Sequence, residues 1–205
     1  MGTTERRRRE AAKRRADILA AARKLFWKQG YAATTMPQIA DATELAPGTL
    51  YLYFHGKEAL YVELVFEGYT ELQRRLKAAA GSDGDPRRQA SALVDAFFQF
   101  ARDFPEYFEI IFFITRREGR GGWKASFPHE LVKRLYEREA ACKAVAAQVL
   151  DKAWDARPKG EKDIALEAVW SMLTGVIFAF KNDELFPAIA QEAKQLVLAS
   201  VFGGQ

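Results

Sequence analysis

Twenty-six residues, Thr35 to Leu60 (TMPQIADATELAPGTLYLYFHGKEAL), constrain this chain more than any other stretch. They read as two short helices with a tight break. Thr35 is placed to cap the first, over about Met36 to Thr43, because its hydroxyl can accept an orphan amide hydrogen. Pro47 opens the second, since a proline at the first helical position forfeits no hydrogen bond. Glu44-Leu45-Ala46 is left as the connection. Two helices joined this way form a helix-turn-helix, whose second helix can enter a DNA major groove. Ile39, Ala40, Leu45, Leu50 and Phe54 face inward. Pro47, Gly48, Thr49, Tyr51, Leu52 and Tyr53 are left outside: small residues that admit a close approach, then hydroxyls able to donate to phosphates.

The chain holds 205 residues at a net charge of +4 and is 49% apolar, enough for a real core and too apolar for general disorder. Residues 1–60 hold 11 Lys and Arg against 6 Asp and Glu, so the charge sits in the head and the remainder is near neutral. A basic head suggests a polyanionic partner. The single cysteine, Cys142, excludes an internal disulfide framework and a cysteine-rich zinc site. No apolar run approaches the length of a membrane span, and the Arg-rich start lacks an apolar signal region, so a cytoplasmic protein is expected.

In order, residues 1–9 (MGTTERRRR) read as a basic flexible arm that either tracks phosphates or solubilises. Glu10 to Gln29 is an amphipathic helix on Ile18, Ala22, Leu25 and Phe26, with Arg14, Arg15, Arg23, Lys24 and Lys28 on its outer faces and Gly30 ending it. A long helix runs from Lys57 to Ala80, and 81–86 is the clearest loop. Helices follow over Arg87–Phe104, Pro105–Glu118, Pro128–Ala156, Glu161–Asn182 and Pro187–Val201. The second of these is apolar nearly all round and is expected at the centre of its domain. The fold class is therefore all-α. The expected domains are 1–9 arm, 10–56 helix-turn-helix, 57–80 linking helix, and 81–205 body.

Gly30-Tyr31, Thr34-Thr35, Ile39-Ala40, Gly48-Thr49-Leu50-Tyr51, Tyr53-Phe54 and Lys57-Glu58-Ala59-Leu60 together resemble the DNA-binding domain of the TetR family of transcriptional repressors. The resemblance covers about the first quarter of the chain. Glu44 departs from it, since the family usually has glycine there; a left-handed Glu44 costs roughly 1–2 kcal/mol. The resemblance implies a DNA-facing set of Thr35, Pro47, Gly48, Thr49, Tyr51, Tyr53 and Lys57, with Lys57 on a phosphate. It also implies a homodimer, through the last two helices (residues 161–202), on double-stranded palindromic operator DNA, released by a small-molecule effector.

No catalytic constellation stands out: no Gly-rich phosphate loop, no Cys or His cluster, and His55 and His129 far apart. No enzyme activity, cofactor or metal is expected. The body's aromatic residues suggest an apolar pocket between helices, with Phe97, Phe108, Phe112, Trp123 and Trp170 as its lining; aromatic core with no pocket is the simpler alternative for each. For the dimer, the stripes Val169, Met172, Leu173, Val176, Ile177, Phe180 and Ile189, Ala193, Leu196, Val197, Val201 either face the chain's own core or a partner. A second reading of the whole is a helical small-molecule-binding or enzymatic protein whose basic head binds a membrane surface or a protein.

Overall fold

A computed structural model describes residues 3–81, 85–114, 129–151, 153–154 and 158–203. All regular structure among them is helical: α1 (Thr3–Ala33), α2 (Met36–Ala42), α3 (Pro47–Tyr53), α4 (Lys57–Ala80), α5 (Pro86–Asp103), α6 (Pro105–Glu109) followed by a π-helical turn (Ile110–Ile114), α7 (His129–Leu150), α8 (Lys159–Phe180) and α9 (Phe186–Phe202). The chain separates into two packing units, Met1–Glu67 and Gly68–Gln205, and the division falls inside α4.

The first unit is built on Ile18, Ala22, Met36, Ile39, Ala40, Leu50, Phe54 and Leu60. The 3.6-residue repeat of α1 supplies the first two, and the two short helices seal the rest. α1 differs from expectation at its start. Residues 3–9, expected as a flexible arm, are helical, and Arg9–Glu5 and Arg6–Glu10 pairs one turn apart support those turns. At the other end Gly30 takes φ 83 and ψ 161, a conformation essentially reserved for glycine, and the backbone breaks there.

In the second unit α5 is the hub, packing on α6, α7, α8 and α9. Its buried face carries Leu93, Val94, Phe97, Phe98, Phe100 and Ala101, and Asp85 caps it by accepting from the Arg88 amide at 3.0 Å. The segment beginning at Pro105, expected to be central, buries Phe108, Ile110, Ile111 and Phe112. That segment is α-helical only to Glu109 and then widens into the π turn; the rest of the expected helix lies outside the described residues. Cys142 is fully buried, with Sγ 3.6 Å from the Tyr69 carbonyl, and burial pushes its thiol up to about 12, so it is an inert core residue.

α8 overturns a further expectation. Its 22 residues, with mean hydropathy 1.6 in the most apolar window, are long and apolar enough to cross a membrane. Only 22% of that window is buried within the protomer. Preceded by four charged residues at the start of α8 and interrupted by Glu167, Ser171 and Gly175, this hydrophobicity is not visible as a run; it becomes visible once the helix exists and one face is left uncovered.

Candidate nucleic-acid interface

The geometry of α2, the turn and α3 is fixed almost wholly by local hydrogen bonds. Thr35 is extended (φ −120), its Oγ1 accepts from the Gln38 amide at 3.4 Å, and Gln38 Oε1 accepts from the Thr35 amide at 2.9 Å. This reciprocal capping box satisfies two donors that would otherwise be orphaned. At the other end of α2 the Leu45 amide donates to the Ala40 carbonyl at 2.9 Å and the Glu44 amide to that of Asp41 at 3.1 Å. Those two bonds are a Schellman motif, and its C′ position requires a left-handed residue. Glu44 occupies it at φ 54. The strain foreseen from the sequence is therefore present, and Leu45, the residue after it, packs on the core. Ala46 offers no side-chain cap to α3, and Pro47 starts it.

Leu50, fully buried, and Phe54 anchor α3. Pro47 and Gly48 are exposed, Tyr51 is 47% exposed and Leu52 81%. A Cβ added to Gly48 would meet nothing within 4 Å, so the fold does not need glycine there. Thr49 and Tyr53 are half-buried, and Tyr53 packs against the core. The exposed face is thus narrower than the sequence suggested. Thr35 is exposed at the start of α2 but its hydroxyl is already engaged in the cap.

Lys57, which the resemblance places on a phosphate, is bonded within the protein in this structure. Its Nζ donates to the carbonyls of Tyr31 and Thr34, both at 2.8 Å, and of Ala32 at 3.4 Å, and sits 4.3 Å from the centre of the Tyr31 ring. An ammonium has three donors, and all three are committed. It ties α4 to the chain leaving α1 at the Gly30 break. Tyr31 completes this corner: its hydroxyl donates to Glu58 Oε1 at 3.0 Å, and its ring meets Tyr61 and Phe26 at 4.9 and 5.5 Å. Burial, and then the Glu58 charge, push the phenol well above its usual range, so it stays neutral.

Arg15, expected on an outer face, was missed as a structural residue. Its Nη1 donates to the Tyr53 carbonyl at 3.0 Å, its Nη2 pairs with Glu63 at 3.0 Å, and its guanidinium stacks 4.1 Å from the Phe54 ring. It satisfies the C-terminal end of α3, where a cation is favoured. The signal was its position three residues before Ile18, on the apolar face.

In the second unit, Phe97, Phe108, Phe112 and Trp170 come together as expected. Ring centroids lie 4.9 Å apart for Phe97–Trp170, 5.6 Å for Phe97–Phe112 and 4.6 Å for Phe108–Phe112. All four are at most 4% exposed. Trp123 lies outside the described residues. Trp170 Nε1 has no hydrogen-bond partner among the described residues, whereas Thr174 donates to the Trp170 carbonyl at 2.8 Å and is not free to meet a ligand. Ser171 is exposed. Two hollows lie elsewhere: about 430 Å³ between α7 and α8 over Trp154 and Leu166, and about 260 Å³ between α5 and α9 beside Phe98 and Phe186.

The stripes expected at a dimer contact resolve differently. Leu173, Ile177, Ala193, Val197 and Val201 are buried in the protomer's own core, and Val169, Met172 and Val176 are half-buried. Phe180, of the expected stripe, is exposed (37%), and α8 also exposes Ile164 (71%), Ala168, Ser171, Gly175 and Phe178 (63%), repeating every three or four residues. Nothing lies within 4 Å of a Cβ added to Gly175. Leu196 of α9 is also exposed.

Residues 18–64 match the model of the family described as bacterial regulatory proteins, tetR family. Among curated proteins, the chain is 31% identical over 99 residues to the HTH-type transcriptional activator FasR of Mycolicibacterium smegmatis, spanning 48% of this chain and 45% of that one. It is 33% identical over 86 residues to the HTH-type transcriptional repressor KstR2 of Rhodococcus jostii, 42% of each chain. The matched part is thus less than half of either relative. Over nearly the whole length it shares its fold with a bacterial regulatory protein in the tetR family from Rhodococcus RHA1, at TM-score 0.72 and 21% identity, covering 92% of this chain and 97% of that one. The same holds for the transcriptional regulator FadR from Bacillus subtilis in complex with stearoyl-CoA, at TM-score 0.71 and 14% identity, covering 91% and 98%.

Proposed function

We propose that this chain is a transcriptional repressor of the TetR family of bacterial regulatory proteins, whose family model residues 18–64 match, and that it binds palindromic operator DNA as a homodimer and is released by a small apolar or aromatic effector. The observation that carries the reading is α3 itself. Inward-facing Leu50 and Phe54 anchor it, while Pro47, Gly48, Tyr51 and Leu52 stand outward, and of these only Pro47 serves the helix, by starting it. An exposed Leu52 and Tyr51 on a seven-residue helix is a poor design for solvent and a suitable one for the methyl groups and phosphates of a major groove. The chain acts where the chromosome is, in the cytoplasm.

Residues 161–202 supply the dimer contact, and the exposed stripe Ile164, Ala168, Ser171, Gly175, Phe178 is its centre. Small residues in the middle allow close helix approach, with a large apolar residue at each end. A second copy accounts for this face better than a membrane does, because α8 is also held by charged contacts on its flanks: Lys143 pairs with Glu167, and Lys162 with Asp151. The effector enters by parting Phe97, Phe108, Phe112 and Trp170. The uncommitted Trp170 N–H favours a ligand that brings a hydrogen-bond acceptor to an aromatic wall. Ligand binding releases DNA only if the ligand prefers the non-binding arrangement. The FadR neighbour was solved with stearoyl-CoA, an apolar chain bearing many acceptors.

Selection of bound genomic fragments followed by footprinting tests the reading. A short palindromic footprint supports it; no duplex binding, with partition onto anionic vesicles instead, supports the second reading. Gly48→Ala is the sharpest variant. It should leave the fold as stable or raise stability by about 0.5–1 kcal/mol, as for any helical Gly→Ala, while weakening operator binding. Equal affinity would move the interface off α3.

A further inference from the structure

The four consecutive arginines of α1 are not equivalent. Arg6 and Arg9 are paired with Glu10 and Glu5 at 2.9 and 2.7 Å. Arg7, Arg8 and Arg14 are exposed and form no ion pair among the described residues. The helix decides where they stand. Arg14 is about one turn and Arg7 about three turns ahead of Ile18, so both lie on the face that buries Ile18 in the core. Arg8 is about two turns ahead of Arg15, the residue that grips the C-terminal carbonyl of α3. The face of α1 that folds onto the helix-turn-helix therefore continues past the last core residue as a row of uncompensated guanidinium groups. Charges merely kept for solubility belong on the outer face, where the paired Arg6 and Arg9 are.

We propose that residues 3–14 form a phosphate-binding strut beside α3, in which Arg7, Arg8 and Arg14 hold the DNA backbone flanking the half-site. Arg7 and Arg14 are about 10 Å apart along the helix, the rise of about three base pairs, so both can follow one strand. Guanidinium groups suit phosphate because they present paired donors. The strut reads no bases. It adds affinity uniformly, lengthens the footprint at its outer edges and steepens the salt dependence. It rests on the DNA-binding reading of α3 but is separable from it.

The test uses the full chain and a duplex recovered by fragment selection with the wild type. Arg7→Gln/Arg8→Gln/Arg14→Gln should lower the slope of log affinity against log salt by about three units for each bound protomer, near 0.9 per lost contact. The footprint should shorten outside the palindrome while the ranking of fragments stays the same. Lysine at the three positions should restore most of the slope, and Arg6→Gln/Arg9→Gln should change it by less than about one unit. Circular dichroism verifies that helix content is kept. A triple variant with wild-type slope overturns the strut, as does an equal loss in the Arg6/Arg9 control or an altered fragment ranking. Wild-type binding to phosphatidylserine vesicles that exceeds its binding to duplex reassigns the arginines to a lipid surface. A wild type that binds no duplex instead overturns the function proposed above, and the strut with it.

Discussion

α3 and α8 both leave large apolar side chains in solvent, and the two cases are opposite in construction. α3 has seven residues and one fully buried side chain, Leu50. Its position comes from hydrogen bonds at its ends: the Schellman turn, the Arg15 clamp and the Lys57 tie behind them. α8 has 22 residues and is held by area, with Leu166, Trp170, Leu173, Thr174 and Ile177 buried. A short helix held by directional bonds presents a few side chains at a defined angle, as groove recognition needs. A long helix held by packing presents a continuous strip, as a second copy needs.

The comparison can be broken most severely in α8, where neighbouring residues face opposite ways. Ile177 is fully buried and Phe178 is 63% exposed. Ile177→Glu should cost more than about 4 kcal/mol, because a charge enters the core without a partner, and cooperative unfolding should be lost. Phe178→Glu should leave the melting transition of the protomer intact and shift sedimentation from dimer to monomer. A Phe178→Glu protein that still sediments as a dimer would place the contact elsewhere.

Next in size is Lys57→Ala. With three backbone carbonyls losing their donor, the expected cost is about 1–3 kcal/mol in stability, read by urea denaturation, with the salt slope of DNA binding unchanged. A slope lower by one unit at unchanged stability would return Lys57 to a phosphate and weaken the view that α3 is held from behind.

Glu44→Gly acts on the same scaffold in the opposite direction. Glycine reaches φ 54 without the Cβ penalty, so the melting temperature should rise, corresponding to about 1 kcal/mol. A fall would mean that the Glu44 side chain contributes something beyond the turn.

The smallest effect concerns the area-held unit, where ion pairs add little. Glu71 lies between Arg74 and Arg75, at 2.6 and 2.8 Å, and their hydrogen bonds, Arg74 first, hold its carboxyl at about 2 rather than 4.5. A depressed carboxyl contributes stability above its unfolded value and loses it as pH falls through the folded one. The contribution should therefore be complete above pH 4.5 and vanish toward pH 2. Because the pair is solvated, Glu71→Gln should cost less than about 1 kcal/mol at pH 7, with the difference from wild type gone near pH 2.

Elements whose geometry is set by neighbours in sequence were legible beforehand. The Thr35 cap, the break at Gly30 and the Pro47 start all follow from bonds within six residues, and a sequence states those directly; the left-handed Glu44 was raised only by the resemblance, and the turn itself decided it. The inward set Ile39, Ala40, Leu50 and Phe54 followed from periodicity for the same reason. The use made of a charged side chain was not legible. Arg15 looked like surface, and the bonds of Lys57 within the protein were not foreseen, because the carbonyls of Tyr31 and Thr34 lie 26 and 23 positions from Lys57, and that of Tyr53 lies 38 from Arg15. Nor was the choice of face on α8. Its apolar residues surround the helix, so periodicity cannot say whether Ile177 or Phe178 meets the core; α5 and α9 decide it by covering one side. Local hydrogen bonding is written in the chain, while the burial of a helix with no polar face is settled only by what packs against it.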